Sequence, residues 1–159
     1  MVFLGADHRG FELKERLKKR LVDEGFDIQD LGNDHLDEND DYVVIAEKVA
    51  KAVVEDSIAS FQNDKQDGQK NYGIILCGSG AGVDMVANKI NGVRSALVFD
   101  VPRAIQAREH EDANVISLPA DTLDEESSFE IAKAFLTTQF SGEQRHIRRL
   151  EEMKKVEKN

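Results

Sequence analysis

Short apolar runs of strand length alternate with amphipathic runs of helical period along this whole chain, and that alternation constrains its fold more than any other feature. Residues 2–6, 26–31, 72–77, 93–99 and 114–118 are the apolar runs. Between them, residues 11–24 set Leu13, Leu17 and Leu21 on one helical face, and residues 42–57 do the same with Ile45, Val49 and Val53. Gly25 suits the stop of the first helix. Residues 83–90 and 102–111 read as shorter helices, the second opened by Pro102, and residues 125–139 and 142–155 as two closing helices. Residues 60–71 are polar, with 62–70 expected as an exposed loop. Apolar strands joined through helices require a parallel sheet covered on both faces. The expected fold is α/β: a three-layer α/β/α sandwich around a five-stranded, Rossmann-like parallel sheet with right-handed crossovers. No internal repeat or boundary interrupts the pattern, so residues 1–159 read as a single domain.

The bulk properties exclude several function classes. A formal charge of −10 argues against general nucleic-acid binding, which needs a basic surface. No apolar run approaches membrane-spanning length, and the first residues lack the apolar core of a signal peptide, so a cytoplasmic protein is expected. The single cysteine cannot form an internal disulfide, and the four histidines are too scattered to suggest a metal site.

In such sheets ligands bind beyond the carboxyl ends of the strands. The third apolar run ends there in Cys77-Gly78-Ser79-Gly80-Ala81-Gly82. Glycines let backbone amides approach an anion closely, and clustered amides favour the thiolate of a neighbouring thiol. This is the pattern of an anion site with a base or nucleophile built into it. A dinucleotide site competes for the same glycines, but their G-x-G-x-G spacing and place in the third unit fit it poorly.

Asp7-His8-Arg9-Gly10 follows the first strand and reads either as a capped helix start or as two titratable groups at the ligand edge. Arg108-Glu109-His110-Glu111-Asp112 is either the solvated end of a helix or a way to hang His110 over that same edge. Arg145 and Arg149 share a helical face and could grip a phosphate, or could pair with Glu143, Glu151 and Glu152.

Taken together, these motifs resemble the type B ribose-5-phosphate isomerases and the related galactose-6-phosphate isomerase subunits. The resemblance covers nearly the whole chain. It rests on residues 5–14, Asp41-Tyr42, residues 75–82, Ala87-Asn88-Lys89, Gly92-Val93-Arg94, Arg108-Glu109-His110, Asn114-Val115, Arg145-His146 and Arg149. It implies a homodimer or tetramer whose active sites draw on both subunits, with the C-terminal helix 142–156 packing on the dimer partner. It also implies interconversion of aldose and ketose phosphates without metal or cofactor, as in the pentose phosphate pathway of carbohydrate metabolism. Carried over by position, Cys77 resembles the base that moves a proton between C1 and C2, and Ser79 the hydroxyl that assists transfer between the oxygens. His110 resembles the group that helps open the sugar ring. Asp7 and His8 correspond to contacts with the ring oxygens, Gly78, Gly80 and Gly82 to the enediolate cradle, and Arg145 and Arg149 to the phosphate clamp. Tyr42 and Glu111 complete the substrate-binding positions.

Four departures from the family pattern stand out. Glu111 replaces a usual asparagine, Val43 and Val44 replace a proline after Asp41-Tyr42, and Asp84 stands where a small or hydroxyl residue is common. Pro119-Ala120-Asp121 stands where Gly-Ser-Arg is frequent and the arginine assists phosphate binding. The expected reaction is ribose 5-phosphate to ribulose 5-phosphate. The alternatives are the same enolisation on a hexose 6-phosphate or tetrose phosphate, and a non-catalytic sugar-phosphate binder.

Overall fold

The computed structural model describes residues 1–62 and 70–157. Five strands, β1 (Val2–Ala6), β2 (Ile28–Asp30), β3 (Tyr72–Cys77), β4 (Ser95–Leu97) and β5 (Val115–Pro119), pair in parallel in the order β2-β1-β3-β5-β4. The helices are α1 (Phe11–Asp23), α2 (Tyr42–Gln62), α3 (Ala81–Ala87), α4 (Val101–Glu111), α5 (Glu125–Thr137) and α6 (Gln144–Val156). The expected α/β sandwich is therefore the observed one. The largest departure is α2, which runs past its expected end at residue 57 to Gln62, the first residue of the expected loop; residues 63–69 of that loop lie outside the described residues.

Burial follows the strand period of two. Val2, Leu4, Ala6, Ile74, Leu76, Ile116 and Leu118 point into a core shared with α1, α4 and α5. Phe3, Ile75, Cys77 and Val115 point to the opposite core, closed by Val49 and Val53 of α2 and Val83 and Ala87 of α3. The spacing read from the sequence accounts for the helices: Leu17, Leu21, Val49 and Val53 are almost wholly buried.

The strand order fixes where a ligand can sit. The chain leaves β1 towards β2 through α1 and leaves β3 away from it through α3, and these helices cover opposite faces. A crevice therefore opens between the carboxyl ends of β1 and β3. The residues that follow those strands are Asp7 and Gly78.

Local signals stop and start the elements. Asp100 caps α4 by accepting from the Arg103 amide at 2.7 Å, and Asp124 caps α5 through Ser127 at 2.8 Å, each contact stabilising by about 1 kcal/mol. Asp41 Oδ1 accepts from the Val43 amide at 2.9 Å at the start of α2, a bond that a proline at position 43 could not make.

Candidate active site

Cys77 is the last residue of β3, and its side chain is 5% exposed. The chain then turns sharply, with Gly80 at φ +73°, so that the Gly80 amide donates to Cys77 Sγ at 3.2 Å. A negative charge on that sulfur meets a donor already in place. Ser79 is exposed at the tip of the turn, and its Oγ accepts from the Ala81 amide at 3.3 Å. The loop has almost no room for side chains. A Cβ on Gly82 would lie 2.8 Å from the Tyr42 ring, so the start of α2 holds Tyr42 against the glycine turn.

Asp7 and His8 sit across the crevice at the end of β1. The Asp7 amide donates to the Leu76 carbonyl at 3.3 Å, tying this turn to β3. Asp7 is buried, and its Oδ1 accepts from the amides of Arg9 and Gly10 at 3.0 and 3.1 Å. Burial pushes its carboxyl above the usual range, against the opposing pull of those amides and of His8. His8 is oriented by Asp40, whose Oδ1 accepts from the His8 amide at 2.9 Å and lies 2.8 Å from its Nδ1. That hydrogen bond raises the His8 pKa, because the carboxylate favours the protonated ring.

Asp40 is held in turn. Asn33 Nδ2 donates to its Oδ2 at 3.1 Å, and the fully buried Lys14 donates to Asn33 O at 3.0 Å and to Asp30 Oδ2 at 2.7 Å. Asp40 did not stand out in the sequence, and Lys14 entered only as the last residue of the 5–14 motif. The available signal was an acid directly before Asp41-Tyr42, which only the fold brings to His8.

The second group of expected site residues lies elsewhere. A place between the fourth and fifth strands suggested that His110 hangs over the same edge as Cys77. Within one chain it does not. The 11 residues of α4 carry the chain about 16 Å back along the sheet, and its end runs into the start of β5. Cys77 is in register with Pro119 at the far end of β5, so a strand's length, about 15 Å, separates the two ends.

At the amino edge the His110 ring stacks on His146 with centroids 4.4 Å apart. Buried His146 shares a 2.7 Å hydrogen bond between its Nδ1 and Ser141 Oγ, and the Ser141 amide donates to Glu109 O at 3.1 Å. Arg145 is exposed and pairs with Glu143 at 2.7 Å, whereas Arg149, also exposed, makes no ion pair among the described residues. Glu111 is half-buried and lines a cavity of about 570 Å³ with Arg94, Met153 and Val156.

Arg108 reads in sequence as part of a solvated helix end, yet it is 1% exposed. It donates to the Ala113 and Thr138 carbonyls and pairs with Asp112 at 2.9 Å. Lys70 and Arg94 reach the same carboxylate, each at 3.0 Å. Burial alone would raise the Asp112 pKa, but these three cations hold it below the usual carboxylate range. The network fixes the turn that presents His110.

The family profile described as ribose/galactose isomerase matches residues 2–153 of the chain. The probable ribose-5-phosphate isomerase B of Mycoplasma genitalium is 36% identical over 157 residues, covering 99% of this chain and 95% of that protein. Ribose-5-phosphate isomerase B of Mycobacterium tuberculosis is also 36% identical over 157 residues, covering 99% and 90%. Among solved structures, the Mycoplasma genitalium enzyme with bound ribulose-5-phosphate superposes with a TM-score of 0.88 over 99% of this chain and 96% of that one, at 36% identity. The type B enzyme of Trypanosoma cruzi gives 0.87 at 34% identity, over 99% and 95% of the two chains.

Proposed function

The chain belongs to the ribose/galactose isomerase family, and from that membership we propose that it interconverts ribose 5-phosphate and ribulose 5-phosphate with the Cys77 thiolate as base. It is an aldose–ketose isomerase. The observation that carries the assignment of the base is Cys77 at the carboxyl end of β3, beside the β1–β3 crevice, with the Gly80 amide donating to its Sγ at 3.2 Å.

The thiolate takes the proton from C2 of the open-chain aldose, and the electron pair moves onto the C1 carbonyl oxygen to give an enediolate. Ser79 Oγ relays a proton between O1 and O2, and the Cys77 thiol returns its proton to C1. Amide donors of the glycine loop, aimed at the developing oxyanion, lower the barrier by about 3–4 kcal/mol per donor. A positioned base adds roughly 10²–10⁴-fold. Asp7 and His8 bind sugar oxygens from the opposite wall of the crevice, and the Tyr42 ring closes its side.

His110 opens the sugar ring, and Arg145 and Arg149 hold the phosphate. All of these belong to the amino-edge group, so one chain cannot bring them to its own Cys77. A homodimer in which each chain lends this group, with its α6, to the other completes both sites; two such dimers give a tetramer. The free edge of β4 and its surroundings support this assembly, because Met85, Leu97 and Phe99 are 67%, 36% and 56% exposed there. The dimer acts on a cytoplasmic metabolite. Among the described residues no helix is long and apolar enough to cross a membrane.

Proton NMR in D₂O tests the reading, with ribose 5-phosphate, a hexose 6-phosphate and a tetrose phosphate as substrates. Ketose formation from ribose 5-phosphate with solvent deuterium incorporated beside the carbonyl, abolished in Cys77→Ala, is the expected result. Undiminished turnover in Cys77→Ala removes the thiolate from the mechanism. Turnover of only the hexose or tetrose phosphate replaces the substrate.

A further inference from the structure

Arg9 and Asp121 meet against the α-carbon of Gly78, the residue that follows Cys77. A Cβ on Gly78 would fall 2.5 Å from Arg9 Nε and 2.9 Å from Asp121 Oδ2. Arg9 Nη2 donates to that same carboxylate oxygen. Main-chain hydrogen bonds anchor both residues to the site. The Asp121 amide donates to Gly78 O at 3.0 Å, the Ala120 amide to Cys77 O at 2.9 Å, and the Arg9 amide to Asp7 Oδ1 at 3.0 Å.

As an ion pair it adds little to the fold. Its side chains are 58% and 41% exposed, and ion pairs this open to water contribute little to stability. It nevertheless lies on the glycine loop, where a side chain on Gly78 would collide with it. A guanidinium offers five N–H donors in a planar fork. Asp121 engages Nη2, and Nε and Nη1 have no partner among the described residues. One edge of the fork is thus free for an oxyanion, in a chain whose net charge of −10 otherwise repels one.

We propose that Arg9 binds the substrate's phosphate in this site and that Asp121 holds its guanidinium over the glycine loop. A phosphate dianion takes the free edge of the fork in charge-assisted hydrogen bonds, while the carboxylate keeps the other edge and fixes the plane. The inference rests on the sugar-phosphate reading of the site.

Steady-state kinetics with ribose 5-phosphate and calorimetric titration with inorganic phosphate test it together. Arg9→Ala is expected to raise KM and the phosphate Kd by about tenfold or more, with kcat within about threefold of wild type. Arg9→Ala/Asp121→Arg returns the cation from the other side of Gly78 and restores KM. Arg9→Ala/Asp121→Asn, which removes both charges, stays as weak as Arg9→Ala. Asp121→Ala raises KM, whereas Asp121→Asn, which keeps an acceptor for Nη2, does not. Wild-type KM and phosphate Kd in Arg9→Ala overturn the proposal, as does a loss confined to kcat. Wild-type affinity in the Arg9→Ala/Asp121→Asn variant overturns it too, since the charges then merely cancel one another. Failure of the wild type to turn over any sugar phosphate refutes the isomerase reading instead, and the phosphate titration alone then judges Arg9.

Discussion

Gly80→Ala adds one methyl group at the residue that closes the turn after Cys77, and its cost follows from the local geometry. Gly80 has φ +73°, and an L-residue in the left-handed region costs roughly 1–2 kcal/mol. The new Cβ would lie 2.5 Å from Leu97 Cδ1, a side-chain end that can rotate away. It would also lie 3.1 Å from Leu118 C and 3.1 Å from Pro119 N, which are backbone atoms at the end of β5, paired to β3 through Cys77. That contact is an overpacking of about 1–3 kcal/mol, so the substitution costs about 2–5 kcal/mol in all. With a urea m-value of about 2 kcal/mol/M, the unfolding midpoint falls by about 1–2.5 M.

Gly25→Ala is the matched control. Gly25 ends α1 with φ +89° and has nothing within 4 Å of its added Cβ. The Gly25 and Phe26 amides donate to Val22 O and Leu21 O, closing the helix with a left-handed residue. It therefore bears the dihedral cost alone, about 1–2 kcal/mol. Both variants are unfolded in urea at one protein concentration and followed by circular dichroism, and kcat is measured in the folded range. Gly80→Ala is expected to lose more stability than Gly25→Ala, and also to lose roughly 10–10²-fold in kcat as the Gly80 amide moves off Cys77 Sγ. Equal midpoints for the two variants would refute the claim that β5 holds the glycine turn rigidly.

Asp112 makes stability depend on acid. Its folded pKa lies below the ordinary value, so its contribution is complete above the usual carboxylate range and is lost as pH falls through the folded value. Between about pH 5 and pH 3, wild type should lose stability more steeply than Asp112→Asn in urea unfolding; equal slopes would contradict the ion-pair network. Asp40→Asn should lower the pKa of His8, read from its ring proton shifts by NMR, because the carboxylate that raises it is gone. An unmoved titration would mean that the contact with Asp40 does not set His8. Phe99→Asp, on an exposed apolar position beside β4, should yield monomers by sedimentation and abolish turnover, since Cys77 and His110 then cannot share a site. An active monomer would disprove the composite site. Arg149→Ala should mainly raise KM for ribose 5-phosphate, and unchanged KM and kcat would remove Arg149 from the phosphate clamp.

Local pattern was enough for the sheet and for placing half of the candidate site. The apolar strand runs, the leucines of residues 11–24 and the glycines after Cys77 act over a few residues, through side-chain period and backbone freedom, and any chain carrying them is forced towards this layered fold. Because each strand's carboxyl end lies at one edge of a parallel sheet, Asp7, His8 and Cys77 could be brought together without coordinates. His110 could not be treated that way. It ends a crossover helix, so the length of α4 returns it to the amino edge, a consequence a strand-to-helix reading contains but a motif reading misses. Tertiary structure alone decided the rest. Arg108 is buried because α5 and the turn after it close over it, and Asp40 reaches His8 only through the fold of the residues after β2. Asp121 meets Arg9 because β5 and β1 flank β3, so that residues 112 positions apart converge on a glycine with no side chain to separate them.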